Sequence, residues 1–304
     1  DDTYKVKDYS YRLVGKIKKS NLNLKNTLKS SFLSEEIKEL FFSDVTIDSN
    51  FSPKSNKVKG FGNYSLDNLN FLKFNLDNSF YNDLLNLKLD FDYKKSLDIN
   101  FINYKKPQNS VANLSLELEK KSDNIKFKKL NYLESKNFIK ISDLNFNNNE
   151  FQSFKKIEVK TLNNDFIIRS MDKILITGKK FDARNLIKDL NKKDDRNKFR
   201  NISKDIEIDF KNIKIPMSEK LENFKLIGEI KNGKFVKISS KGDFGGDNYL
   251  DISMKKDENN NTQYLEVYSD LVRPLLTEYD FFKGLSGGKL LFTSLISGNN
   301  SNSK

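Results

Sequence analysis

The sequence predicts an all-β protein built as one long antiparallel layer, with only two or three short helices. Three observations predict it. Apolar and polar residues alternate through much of the chain, the period of a strand with one buried face. Turn residues interrupt that alternation roughly every ten residues, as in an antiparallel meander. Helical spacing is rare.

In chain order, the alternating runs are 87–93 (Leu-Lys-Leu-Asp-Phe-Asp-Tyr), 97–101, the triplet Leu114, Leu116 and Leu118, then 206–210, 250–254 and 265–267. Successive side chains of a strand point to opposite faces, so each run offers one apolar and one wet face. Asn232-Gly233 separates 226–230 from 235–238 and is the strongest hairpin signal, since both central residues of a type I′ turn need positive φ. Lys105-Lys106-Pro107 and 257–261 read as further turns. Phe210 and Ile213 fall out of phase by one residue, which predicts a β-bulge near Lys211-Asn212.

Three segments carry helical spacing. In 181–190, Ala183, Leu186, Ile187 and Leu190 share a face, with Asp182 placed as cap. Asp270 is placed to cap 271–282, where Pro274 falls early enough to be tolerated. The third is 34–42. Residues 1–296 read as a single β segment, and 297–304, built of Gly, Asn, Ser and a final Lys, as a disordered tail.

Composition narrows the function classes. Of 304 residues, 37% are hydrophobic and 12% aromatic, all of the latter Phe and Tyr, so a buried face is well supplied. Net charge is +12, yet the chain holds only six arginines. Base readout and bidentate phosphate recognition lean on arginine, so the lysine-rich excess argues against a nucleic-acid-binding module. The joint enrichment in Lys, Asn, Ile and Phe fits the bias of an AT-rich genome, and an anionic lipid surface is compatible with the charge.

With no Cys there is no disulfide or thiolate metal site, and with no His there is no Ser-His-Asp triad, Cys-His pair or His-ligated metal. No apolar run approaches the ~18 residues that would span a bilayer as a helix. The chain opens at Asp1 without an initiator methionine, and an anchoring or targeting segment upstream is the expectation.

Short motifs have bland readings. Asp243-Phe244-Gly245 spells the metal-binding tripeptide of protein kinases but lacks the rest of that set, so a turn is expected. Asp257-Glu258-Asn259 lacks the spaced oxygen ligands of a calcium loop. Asn-x-Ser/Thr triplets at Asn63, Asn113 and Asn260 are expected by chance in an Asn-rich chain. Asp194-Asp195 sit among lysines and an arginine, as in a solvated loop. The chain is therefore expected to be no enzyme, with no catalytic residue, metal or cofactor. Alternation alone leaves two readings of the apolar stripes. They face other protein in a self-filled core, or they line an open groove.

From about residue 171 to residue 292 the chain resembles the AsmA-like, YhdP-type envelope proteins of Gram-negative bacteria. Two passages carry the resemblance: Thr177-Gly178-Lys179-Lys180-Phe181-Asp182-Ala183-Arg184-Asn185-Leu186-Ile187, and Ser269-Asp270-Leu271-Val272-Arg273-Pro274-Leu275-Leu276 running on to Gly287-Gly288-Lys289-Leu290. In that family a strand ends in Ser-Asp, a leucine-rich helix follows, and Gly-Gly opens the next strand. Asp182, Ala183, Asp270, Gly287 and Gly288 are the motif positions here, and 170–296 carries the likeness. The sequence departs from the pattern at Leu271-Val272, where small residues are common, and at Pro274.

The resemblance implies an elongated, curled β-sheet forming an open trough, anchored to the inner membrane by a segment outside this chain and standing in the periplasm. Its apolar face would carry phospholipid acyl chains between inner and outer membranes, so the implied partners are phospholipid and the envelope membranes, with no nucleic acid. On that reading Leu114, Leu116, Leu118, Ile206, Ile208, Phe210, Leu250, Ile252, Leu265 and Val267 form the groove floor. A structural envelope β-protein with a self-filled core is the alternative.

Overall fold

The computed structural model describes residues 9–29, 36–186, 200–216, 219–256, 262–276 and 287–297. Among them strands dominate: twenty strands stand beside one four-residue helix, α1 (Arg273–Leu276), and a 3-10 turn at Asn100–Ile102. The all-β fold with few helices is what the alternation predicted. The segment read as 1–296 gathers into two compact units, Asp1–Asp98 with Lys105–Glu150, and Ile99–Tyr104 with Phe151–Lys304.

The first unit is an antiparallel meander. β1 (Tyr11–Leu28), β2 (Ile37–Phe51), β3 (Ser55–Ser65), β4 (Leu72–Tyr81) and β5 (Leu84–Tyr93) pair in sequence. After the short β6 (Leu97–Ile99) and β7 (Tyr104–Lys106), which pair with each other, β5 is joined by β8 (Ala112–Lys121). β9 (Asn124–Glu134) and β10 (Asn137–Asn147) follow. Tight turns close the hairpins because Asn and Asp tolerate positive φ. Asn82 and Asp83 sit at φ 47° and 61° between β4 and β5.

The second unit holds β11 (Glu150–Ser153), β12 (Lys156–Lys160), β13 (Asp165–Ser170), β14 (Ile174–Asp182) and β15 (Lys204–Lys214). It continues with β16 (Lys220–Lys231), β17 (Lys234–Gly245), β18 (Asn248–Lys256), β19 (Thr262–Ser269) and β20 (Leu290–Ser297). From β12 to β20 neighbours in sequence pair antiparallel, with one exception. β14 and β15 run parallel, Ile176 opposite Ile208, so the sheet is mixed where sequence predicted a purely antiparallel one. A parallel pair needs a long crossover, and the chain from 183 to 203 supplies it. The Asn232-Gly233 hairpin forms as predicted, at φ 50° and 72°.

Three local expectations are corrected. The segment 34–42 is no helix where it is described, because its apolar residues enter β2, where Leu40 lies opposite Leu22 and Phe42 opposite Tyr64. Pairing on both sides overrides a local helical spacing. Phe181 and Asp182 close β14, and helical structure begins only at Leu186, the rest of that predicted helix lying outside the described residues. The bulge expected at Lys211-Asn212 is absent, since β15 keeps register with both neighbours. The irregularity lies across from it, at Asn223 (φ 50°), where β16 slips against β17 between Glu222 and Lys225. Residues 257–261, Asp194-Asp195, the second half of the 271–282 helix (277–282) and the tail beyond Ser297 also lie outside the described residues.

Candidate functional site

Register across the first unit lines up the apolar face row by row. One row runs Phe74, Phe91, Leu114, Tyr132, Ile139, and the next Leu76, Leu89, Leu116, Leu130, Ile141. A third, Leu87, Leu118, Phe127, Leu144, follows beyond a register shift between Glu117 and Leu118. Apart from buried Tyr132, these side chains are only half-buried. The opposite face is wet, with exposed ion pairs such as Lys88–Glu117 at 3.7 Å and Lys59–Asp77 at 3.5 Å. Such pairs contribute little stability, about 0–1 kcal/mol, but keep that face hydrated.

On the apolar side a trough of about 430 Å³ opens over β1 to β5 and the start of β8. Phe42, Tyr64, Phe74, Leu76, Leu89 and Phe91 line it, with Leu28, Ile37 and Leu40 on one side and Leu66, Tyr93, Leu97 and Leu114 on the other. Its aromatic rings meet edge-on, Phe42 and Phe74 at 5.6 Å and Tyr64 and Phe91 at 6.0 Å between centroids. Both tyrosine hydroxyls point their hydrogen elsewhere: Tyr64 donates to the Asp92 carbonyl at 2.6 Å and Tyr93 to the Ser96 carbonyl at 3.4 Å. Burial, then the nearby Tyr93 and Asp92, pushes the Tyr64 phenol up. Gly62 of β3 faces Phe74 of β4, and on its other side a Cβ there would lie 2.7 Å from the Val45 Cα of β2, so glycine is what lets β2 and β3 approach at this point.

In the second unit the remaining predicted floor residues also share a face. One row is Ile176, Ile208, Leu226, Ser240, Ile252, Val267, and its neighbour Ile174, Ile206, Gly228, Ile238, Met254, Leu265. Burial separates them. Ile208, Ile252, Leu265 and Val267 are half-buried, whereas Ile206, Phe210 and Leu250 are packed in the interior. Phe210 stacks on Phe181 at 5.4 Å and meets Phe166 edge-on at 5.8 Å, over Gly178, where a Cβ would lie 2.5 Å from the Phe210 ring. This cluster fills its own space.

The motif residues hold connections together. Asp182, fully buried, accepts two hydrogen bonds from the Arg184 guanidinium at 2.8 and 2.6 Å and one from Asn103 at 3.1 Å. Burial pushes its carboxyl up, but these donors and the Arg184 backbone outweigh burial and hold it below the usual range. The Ala183 N–H donates to the Lys214 carbonyl at 2.9 Å. Asp270 accepts from Lys289, the Tyr268 hydroxyl and the Tyr249 N–H at 2.8, 2.6 and 2.8 Å, which holds it down at about 2. Gly287 is exposed, and Gly288, at φ 110°, accepts from the Val272 N–H. The Asp243-Phe244-Gly245 tripeptide, expected as a turn, instead closes β17 just ahead of the turn at Gly246-Asp247, because Asp243 and Gly245 pair with Tyr249 and Asn248 of β18; Asp243 accepts the Gly245 N–H at 2.6 Å.

Sequence reasoning missed Lys106. Read as part of a polar turn, it is fully buried, its ammonium within hydrogen-bond reach of the carbonyls of Lys94, Lys95, Pro107 and Ser110 at 2.9, 3.0, 2.9 and 2.6 Å. The signal was parity, because Lys106 stands two residues past buried Tyr104, on the same face of β7. Among the described residues no group of three carboxylates is placed to hold a metal ion. No family model, curated protein or solved structure matches the chain.

Proposed function

We propose that the chain is a non-catalytic lipid-handling segment, whose apolar trough holds the hydrocarbon chains of phospholipid at the bacterial envelope. The observation that carries this reading is a trough within the usual pocket range of about 300–1,000 Å³ whose lining offers no free polar group. Hydrocarbon binds there by burial alone, at about 25 cal/mol per Å², without directional bonds. A grip of that kind is indifferent to lipid species and lets a ligand leave, as carriage requires. The shifted carboxylates Asp48, Asp67, Asp182 and Asp270 all move down, away from the range useful for acid–base catalysis at neutral pH. In keeping with the AsmA-like resemblance, the setting is the periplasm, with the inner-membrane anchor on a segment outside this chain.

A scaffolding role with a self-filled core has one observation in its favour, the Phe166–Phe181–Phe210 cluster of the second unit. The test is to place a photoreactive residue at position 116 on the apolar face and, as control, at position 117 on the wet face. Native mass spectrometry of detergent-free protein then looks for co-purified phospholipid. Lipid should crosslink at 116 and not at 117. Equal labelling at both, or none together with lipid-free protein, sinks the proposal.

A further inference from the structure

The β1 strand forms one edge of the first unit's sheet. Among the described residues it pairs with β2 and with no other strand, so every second residue presents an unpaired N–H and C=O along its outer side. Folded proteins usually blunt such an edge by making it short, bulged, broken by proline or covered. β1 runs for 18 residues without a proline and keeps regular register with β2 from Tyr11 to Asn23. Tyr11, Leu13, Val14, Leu22 and Leu28 are each at least half exposed. The guard that remains is charge.

Charge on this sheet follows a pattern. Across the wet face one row alternates in sign from strand to strand, through Asp48 of β2, Lys59, Asp77, Lys88, Glu117 and Lys129 of β9. Opposite charges on adjacent strands stabilise a pair, and like charges destabilise it. β1 is left without its complement. It carries Arg12, Lys16, Lys18, Lys19 and Lys25 and no carboxylate. Arg12 pairs with Asp48 at 2.7 Å, whereas none of the four lysines has an ion pair among the described residues. β1 and β2 together hold six basic side chains against three carboxylates, so β2 does not neutralise the edge. Two β1 strands side by side would set lysine against lysine, and the edge is poorly suited to its own copy.

We propose that the β1 edge is a docking site for an extended acidic polypeptide segment, which joins the sheet as a further strand. Main-chain pairing supplies the affinity and alternate side chains the specificity, acidic ones beside Lys16 and Lys19, apolar ones beside Leu13 and Leu22. The inference does not depend on what the trough holds.

The test titrates the whole chain into fluorescently labelled short peptides that alternate valine with glutamate, glutamine or lysine, read by anisotropy. N-methylation of the valines leaves one hydrogen-bonding edge open and keeps each peptide from pairing with itself. The glutamate peptide should bind about tenfold more tightly than the glutamine peptide, the combined effect of a few cross-strand charge pairs, and the lysine peptide should not bind. A glutamate peptide methylated at every amide keeps its charge, has no donor to give β1, and should not bind. In Lys16→Glu/Lys19→Glu, two exposed positions whose change should leave the circular dichroism spectrum unaltered, the preference should pass to the lysine peptide. No binding by any peptide, equal binding of the glutamate and glutamine peptides, or a preference that survives the double variant overturns the proposal. Equal binding by the fully methylated peptide reduces it to charge attraction without strand addition, and overturns it too. Self-association of the unmodified chain that Lys16→Glu/Lys19→Glu abolishes, seen by sedimentation, assigns the edge to a second copy and likewise overturns it.

Discussion

At the scale of single residues, the polar side chains in the interior are those with partners. Among the described residues no buried side-chain polar atom lacks a hydrogen bond. Lys106 shows what that requires, an ammonium taken wholly out of water and surrounded by four carbonyls of two chain segments. Desolvation lowers its pKa, and the charge of Glu134 opposes that shift. Lys106→Met keeps the length of the side chain and removes only the ammonium, leaving buried carbonyls unsatisfied. The expected loss is about 2–4 kcal/mol of unfolding free energy, measured by urea denaturation. A loss below about 1 kcal/mol would mean that water or movement of the segments satisfies those carbonyls instead. Composition alone would never single Lys106 out, because lysines are usually solvated.

At the scale of elements, the strands with strict alternation were legible, and so was the Asn232-Gly233 hairpin, because their signals are local. What was not legible depends on partners far along the chain. β2 reads locally as helical spacing, and only its pairing with β1 and β3 makes it a strand. The parallel β14/β15 pair is likewise a property of the crossover, and neither strand differs in pattern from its antiparallel neighbours. Asp270, expected as a helix cap, instead ties three elements, the Tyr249 backbone at the start of β18, Tyr268 of β19 and Lys289 ahead of β20. Its carboxyl falls from 3.8 to about 2 on folding, chiefly through the hydrogen bond from Lys289. Between those values the unfolded chain binds more protons than the folded one, so stability falls as pH falls. The contribution is fully present above about pH 4 and lost as pH drops through about 2. Asp270→Asn should therefore be less stable than the unmodified protein at neutral pH, with the gap closing on acidification in thermal melts taken from pH 7 downward. A gap unchanged down to about pH 2 would show that the carboxylate's charge plays no part in the junction.

At the scale of the whole molecule, period-two alternation says which side chains share a face and nothing about what covers that face. Leu114, Leu116 and Leu118 satisfy the same pattern as Ile206, Phe210 and Leu250, yet the first three are half-buried and the last three packed. The difference comes from bulky partners at distant positions. Phe166 and Phe181 close over Phe210, whereas the rows around Leu116 continue into Leu89 and Leu130, themselves half-buried. A pair of substitutions exploits that contrast. Phe210→Ala empties a packed site and should cost about 3–5 kcal/mol with little effect on amphiphile binding to the first unit. Leu116→Asp puts a carboxylate on a face that is already half in water, so its stability cost should be smaller, about 1–2 kcal/mol. Its effect on binding should be large, because a carboxylate against hydrocarbon has no partner and loses its hydration when a chain lies over it. Unfolding free energy and dodecyl maltoside affinity, measured on both variants, separate the two faces. If Leu116→Asp destabilises as much as Phe210→Ala, the face around Leu116 is a packed core and holds no lipid.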